Sequence, residues 1–195
     1  MAISDRNKKA RKSRQDHRTL KETKAAIKKG CIRENYWSPI MANEIKRRLK
    51  KKIVLVEDYA FGSNGEWITD ARKLSSDPDK KFLIDGKEHL IEIKTHYHDT
   101  DFMTFKRSTI RACVRKEAWI AIVNDRYLRL INPEGVKDVL DNVPVEKVWA
   151  FGNKECHRIY ADYINEMIKK SLLFEYSWLP SSRKMIKQHT KELFK

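Results

Sequence analysis

Cysteine is too scarce and too scattered to organise this chain: Cys31, Cys113 and Cys156 are the only three, with no CxxC spacing among them. A disulfide framework and a four-thiolate zinc site are both excluded, and reduced, buried thiols are the expectation. Nor is there an apolar run of about 18 residues, the length a membrane-spanning helix needs, and the basic beginning has no apolar stretch like that of a secretory signal. The expectation is a soluble intracellular protein, cytoplasmic and nucleoid-associated, with no membrane partner. No internal repeat is visible.

Acidic residues are also in short supply, with 27 Asp and Glu against 42 Lys and Arg for a formal net charge of +15. The excess is not spread evenly. Residues 1–30 carry eleven basic and three acidic side chains, a balance of +8, residues 181–195 carry +4, and the long middle only +3. Basic ends of this kind suit the phosphate backbone of DNA, where cations displace condensed counterions. A solvated tail or a patch for acidic lipid is the alternative, but the clusters have no amphipathic aromatic face to sit in a membrane. Candidate backbone contacts are Lys8, Lys9, Arg11, Lys12 and Arg14 in the first arm and Arg183 and Lys184 in the last.

What is present in quantity is core material: 41% of the 195 residues are hydrophobic and 10% aromatic, enough for one domain with appended arms. Residues 1–33 read as a basic arm with a short helix from Arg18 to Lys29, closed by Gly30 at the left-handed position. Residues 34–155 read as the core and 156–195 as C-terminal helices with a basic tail. The core begins with a helix from Ser38, as N-cap, and Pro39, at the first helical position, to about Lys51. Its apolar arc of Ile40, Met41, Ile45 and Leu49 includes Glu44, an inward carboxylate that asks for a reason. Arg48, four residues on, offers a simple ion pair as that reason. Residues 53–57 (IVLVE) read as a strand and Phe61 to Glu66 as a loop. Phe102 to Lys116 fits a helix capped by Thr100 or Asp101, Ala118 to Asn124 and Tyr127 to Ile131 a second hairpin turning near Asp125-Arg126, and Val145 to Phe151 a strand. Helices are expected from about His157 to Lys170 and after Ser181-Ser182. This order predicts an α/β fold with a mixed central sheet flanked by helices, plus the two basic extensions.

The strongest local signal is PDKKFLIDGKEHLIEIKTH, from Pro78 to His96. Asp85-Gly86 between two β-prone runs specifies a two-residue turn, because a type I′ turn needs positive φ at both central positions. Pairing then runs outward from Ile84 opposite Lys87 and sets Asp79 opposite Glu92. Directly opposed residues share a sheet face with Cβ atoms about 5 Å apart, and Lys94 lies on that same face. Ile91 and Ile93 point to the reverse side. Two carboxylates so close repel unless a cation lies between them, and hard oxygen ligands suit Mg²⁺, with Mn²⁺ as a substitute. Asp77 and Asp70 replace Asp79 if the hairpin is longer.

These residues resemble the PD-(D/E)xK nucleases of the restriction-endonuclease-like fold. Pro78-Asp79, a twelve-residue interval and Glu92-Ile93-Lys94 carry the likeness, within an order of helix, three strands and helix. The resemblance spans roughly residues 38–132. It implies metal binding by Asp79, Glu92 and the Ile93 carbonyl, a nucleophilic water served by Lys94, and a supporting carboxylate on the first helix, for which Glu44 is the match. ExK alone is weak, since Glu22-Thr23-Lys24 and Glu44-Ile45-Lys46 also satisfy it, but Pro-Asp occurs once.

The implied activity is Mg²⁺-dependent DNA endonuclease chemistry of a resolvase, restriction, homing, repair or phage type. A non-catalytic nucleic-acid binder on the same scaffold is the alternative, and RNA as substrate is not excluded. Double-strand cutters usually need two active sites, so a homodimer is expected, with the Trp119 to Ile131 hairpin as its surface. Thr104, Lys106 and Arg107, at the start of the following helix, suit a phosphate. His96, His98, Asp99 and Asp101 look metal-like but read better as surface or DNA-contacting residues. The five tryptophans are scattered and read as core or interface rather than as a stacking platform.

Overall fold

The computed structural model describes residues 19–58, 78–95, 102–123 and 127–177. A 30-residue helix α1 (Leu20–Leu49) leads into β1 (Ile53–Asp58), β2 (Lys80–Ile84) and β3 (Lys87–Thr95). Then come β4 (Phe102–Lys106), helix α2 (Arg107–Arg115), β5 (Trp119–Val123), β6 (Tyr127–Ile131) and helix α3 (Pro133–Asn142). The order ends with β7 (Val145–Val148), a 3₁₀ turn (Trp149–Phe151), β8 (Lys154–Tyr160), helix α4 (Ala161–Lys169) and β9 (Leu173–Ser177). A mixed α/β architecture therefore stands, and no described helix is long and apolar enough to cross a membrane.

Six strands form one sheet in the order β1-β2-β3-β5-β6-β9, antiparallel except where β3 and β5 run parallel. A parallel pair needs a crossover, which β4 and α2 supply. A second sheet, β4-β8-β7, carries three strands. Alternation on β5 sends Ala121 and Val123 to one face and Ile120 and Ile122 to the other, all four buried. The first face packs with Phe82, Ile91, Ile93, Leu128 and Leu130 against Trp37, Met41, Ala42 and Ile45 of α1. The second packs against Ile110 and Cys113 of α2, Val136 and Val139 of α3, Ile164 of α4 and Met103 and Phe105 of β4. The sheet is thus covered on both sides.

Several boundaries differ from those read in the sequence. Gly30 does not end a helix and Ser38 does not begin one: α1 is continuous, with Pro39 in its interior. The Ser38 hydroxyl donates to the Glu34 carbonyl at 2.6 Å, one turn back, instead of capping forward. An interior proline removes one helical hydrogen bond at a cost of about 3 kcal/mol, and the buried stripe on either side of it offsets that loss. Residues 102–106, expected as helix, are a strand because they pair with β8, Phe102 opposite Tyr160 and Lys106 opposite Cys156. His157 likewise lies on β8, and its helix starts only at Ala161. Residues 154–177 are not an appendage, since β8 and β9 complete the two sheets. The hairpin of β5 and β6 is no free surface, being flanked by β3 and β9. The loop from Phe61, the Asp125-Arg126 turn, the helix after Ser181 and both basic arms lie outside the described residues.

Helix α3 shows how one glycine fixes a junction. Asn132 caps it, its Oδ1 accepting from the Gly135 amide at 2.7 Å, with Pro133 in the first turn. A Cβ on Gly135 would stand 2.6 Å from the Leu172 carbonyl oxygen and 2.8 Å from Ile131 Cγ2. Alanine is normally the better helix former by up to about 1 kcal/mol. Here overpacking outweighs that gain, so Gly135→Ala is expected to destabilise the fold by about 2 kcal/mol, read as a lower urea midpoint with an unchanged slope.

Candidate active site

The hairpin turn is built as its residues dictate, with φ of 51° at Asp85 and 81° at Gly86. Its register runs from Ile84 opposite Lys87 to Lys80 opposite Ile91. Asp79 is one step beyond the last pair, where β2 has ended, and its Oδ2 accepts the Ile93 amide at 2.8 Å. That bond ties the aspartate to β3. Glu92 and Lys94 project from β3 on the face away from α1, and Glu92 Oε1 lies 2.5 Å from Lys94 Nζ. Lys94 Nζ also stands 4.0 Å from Asp79 Oδ2. Asp79, Glu92 and Lys94 therefore meet at one place, with side-chain exposures of 19%, 8% and 40%.

A fourth group joins them that the sequence pattern alone did not single out. Glu34 of α1 is part-buried, and its carboxyl senses Asp79, Lys94, Lys80 and Glu92. Burial, followed by the Asp79 charge, pushes its pKa up to about 8. Its neighbour Asn35 accepts a 2.5 Å hydrogen bond from the ammonium of Lys80, a lysine only 3% exposed. Glu92 is pushed up to about 7, chiefly by burial; Lys94 pulls against that shift and Asp79 adds to it. Burial opposes the charge on Lys94, but Glu92 and then Asp79 outweigh it and hold the ammonium above the ordinary lysine range. Cys113 of α2 is near enough to feel the same charges, and its thiol, raised mainly by burial, stays protonated.

Glu44 is elsewhere. Its carboxylate, 15% exposed, accepts from Arg47 at 2.8 Å and Arg48 at 2.7 Å, the intrahelical pairing that was its alternative explanation. Ten residues of helix, about 15 Å, separate it from Glu34. The signal for Glu34 is in the sequence: the buried stripe Ile45, Met41, Trp37 continued one turn back lands on it, whereas Glu44 sits about 60° off the stripe's centre. A cap at Ser38 would cut that stripe short.

Lys106 and Arg107 end β4 and open α2, and Arg107 bonds Glu155 at 3.0 Å. Thr104 is a β4 residue paired with Arg158. Lys8, Lys9, Arg11, Lys12, Arg14, Arg183, Lys184, Asp70, Asp77, His96, His98, Asp99 and Asp101 lie outside the described residues.

Carboxylates and a strand carbonyl make a hard oxygen set, of the chemistry that suits Mg²⁺ or Mn²⁺ and not a soft metal. As they stand, no three His, Cys, Asp or Glu side chains among the described residues are gathered on a single metal position. Glu92 is turned to the Lys94 ammonium and Asp79 to the Ile93 amide. The cation between the carboxylates is Lys94 itself. Three acids lie near Lys94 and Lys80, and burial, with the Asp79 charge adding to it, raises Glu34 and Glu92 towards neutrality.

No protein-family model matches the chain, and no curated protein matches it significantly in sequence.

Proposed function

We propose that this protein is a divalent-metal-dependent DNA endonuclease of the cytoplasm, built on a restriction-endonuclease-like core. The observation that carries this reading is the meeting of Asp79, Glu92 and Lys94 where the hairpin strands open, with the Glu34 carboxyl near enough to feel their charges, on a sheet covered from both sides. Asp79, Glu92 and the Ile93 carbonyl would hold Mg²⁺ or Mn²⁺, with Glu34 rather than Glu44 in the helix-borne supporting role. When bound, the ion supplies polarisation of the scissile phosphodiester and a more acidic water.

The chain's own groups do the rest. Asp79, anchored on the Ile93 amide, keeps its carboxylate aimed across β3 at a fixed angle. Lys94, its ammonium released from Glu92, offers a cation to the phosphate oxygens and a hydrogen bond to the attacking water. Glu34 holds its proton near neutrality in the free protein, and its ionised form, favoured once a cation occupies the site, would accept a proton from that water. Hydrophobic residues behind β3 hold these groups in place, which is what positioning demands.

One observation favours the alternative of a non-catalytic binder: the 2.5 Å contact of Lys94 with Glu92 satisfies both groups without an ion. Incubating the protein with supercoiled plasmid, branched DNA and RNA, each with Mg²⁺ and with EDTA, separates the two. Cleavage is expected with Mg²⁺ and not with EDTA. Salt-sensitive binding without cleavage of any substrate overturns the enzyme reading.

A further inference from the structure

Helix α2 has two unlike faces. Ile110 and Cys113 are buried, the latter within reach of the acidic cluster's charges. On the opposite side Arg107, Arg111 and Arg115 recur at helical spacing and line a cleft of about 450 Å³ with Ser108, Lys154 and Glu155. Four cations therefore face one carboxylate, and that carboxylate bonds Arg107 at 3.0 Å. Arg107 Nε is buried with no hydrogen-bond partner among the described residues. The start of α2 has neither a side-chain cap nor an acid in its first turn, so its amides and dipole add to the positive potential. A cleft this size takes a nucleotide-sized group.

The cleft adjoins the tip of the β7-β8 hairpin, where Val148 pairs with Lys154. Trp149 stands there 63% exposed and Phe151 37% exposed. Their exposure does not come from a loose tip: the Gly152 amide bonds the Trp149 carbonyl at 2.8 Å and the Asn153 amide bonds the Val148 carbonyl at 3.1 Å. Lys106, the residue before Arg107, places its ammonium 5.7 Å from the Phe151 ring centroid. Lys154 and Lys106 thus join the cleft to the aromatic tip.

We infer that this cleft and the Trp149 tip form a second nucleic-acid site that takes an unpaired strand, its phosphates between Arg107, Arg111, Arg115 and Lys154 and a base stacked on Trp149. Cations along a backbone track beside an exposed aromatic are the pairing that single strands select, because every base has a face to stack. A paired base presents no such face. The site lies on the side of α2 away from Cys113, the residue that feels the acidic cluster's charges. Its link to substrate choice rests on the nuclease reading, which would then favour branched or partly single-stranded DNA, but its occupancy does not.

The test measures binding in EDTA, where no cleavage occurs, with fluorescein-labelled single-stranded DNA, single-stranded RNA and duplex DNA of one length. Trp149→Ala should weaken single-strand binding roughly tenfold or more and duplex binding less than about twofold. The Arg111→Gln, Arg115→Gln double variant should weaken all three probes and lower the salt slope by about 1 for each arginine replaced. DNA and RNA arms differing from each other identify the preferred sugar and uphold the site in either case. Unchanged single-strand affinity in Trp149→Ala overturns the inference, as does equal loss on single strand and duplex. Loss of self-association in that variant, seen by sedimentation, instead marks the tip as a contact between copies and also overturns it. Intact binding effects beside absent cleavage would fault the catalytic reading alone.

Discussion

Glu92→Gln is expected to lower Mg²⁺-dependent plasmid cleavage on the order of 10³-fold while leaving DNA affinity in EDTA within about twofold. The side chain is 8% exposed and faces Lys94 at 2.5 Å, so glutamine fills the same space but removes the negative charge. Loss of a metal-holding carboxylate acts on the transition state, not on backbone binding, which the cationic surfaces supply. Asp79→Asn and Lys94→Ala should fall similarly, and Glu34→Gln by roughly 10²-fold as a proton acceptor. Glu44→Ala is the internal control. Its carboxylate is engaged by Arg47 and Arg48, so cleavage should change less than about twofold, with a loss of a few tenths of a kcal/mol in stability from the helix pairs. Nicking rates at saturating DNA check all five. Undiminished cutting by the Glu92 variant would remove the assignment, and a large loss in the Glu44 variant would return the supporting role to that residue.

The contrast between Glu44 and Glu34 shows where sequence alone can be read. The hairpin is legible because its information is local: Asp85-Gly86 accepts positive φ, and the turn sets the register that brings Asp79 to Glu92 and Lys94. The helix start is not, because Ser38-Pro39 satisfies the rules for a cap and first-turn proline, while Trp37, Met41 and Ile45 hold α1 together across it through tertiary packing. Phe102, Phe105, Ile110 and Cys113 fit a helical period, yet β4 is fixed by Tyr160, His157 and Cys156, about fifty residues away in the chain. Long-range strand pairing overrides a short periodic signal. Helix α3 is not among the elements expected from the sequence, although Asn132-Pro133 satisfies the same local rules of cap and first-turn proline and opens it with the bond to Gly135. The short helix behind them has too few turns for its period to stand out from the flanking strands. The buried Lys80 gives no signal, since its partner Asn35 lies on an element whose position only the fold sets.

In EDTA the free protein should lose stability as pH rises from about 5.5 to 8.5, with a fall in Tm of about 5 °C or more. The sign follows from the two glutamates. Burial, with the Asp79 charge adding to it, puts Glu34 at about 8 and Glu92 at about 7 in the fold, against 4.5 for an ordinary glutamate. The unfolded chain therefore releases these protons first, and between the two limits the folded state binds more protons, so unfolding becomes easier as pH increases. The favourable contribution is complete below about 4.5 and gone above about 8. Lys94 does not oppose this trend, since a raised ammonium contributes fully below its ordinary value of 10.5. Because Glu34 and Glu92 share neighbours, their protons are not independent, and a slope of about one proton is expected rather than two. The Glu34→Gln, Glu92→Gln double variant should flatten the slope and exceed the unaltered protein in Tm at pH 8, where two buried charges no longer meet Asp79. Mg²⁺ should raise Tm more at pH 8 than at pH 6, because carboxyls must shed protons to bind it. Stability rising with pH in EDTA would mean that the folded acids are already ionised, and the crowding that makes the site a candidate for a cation would be gone.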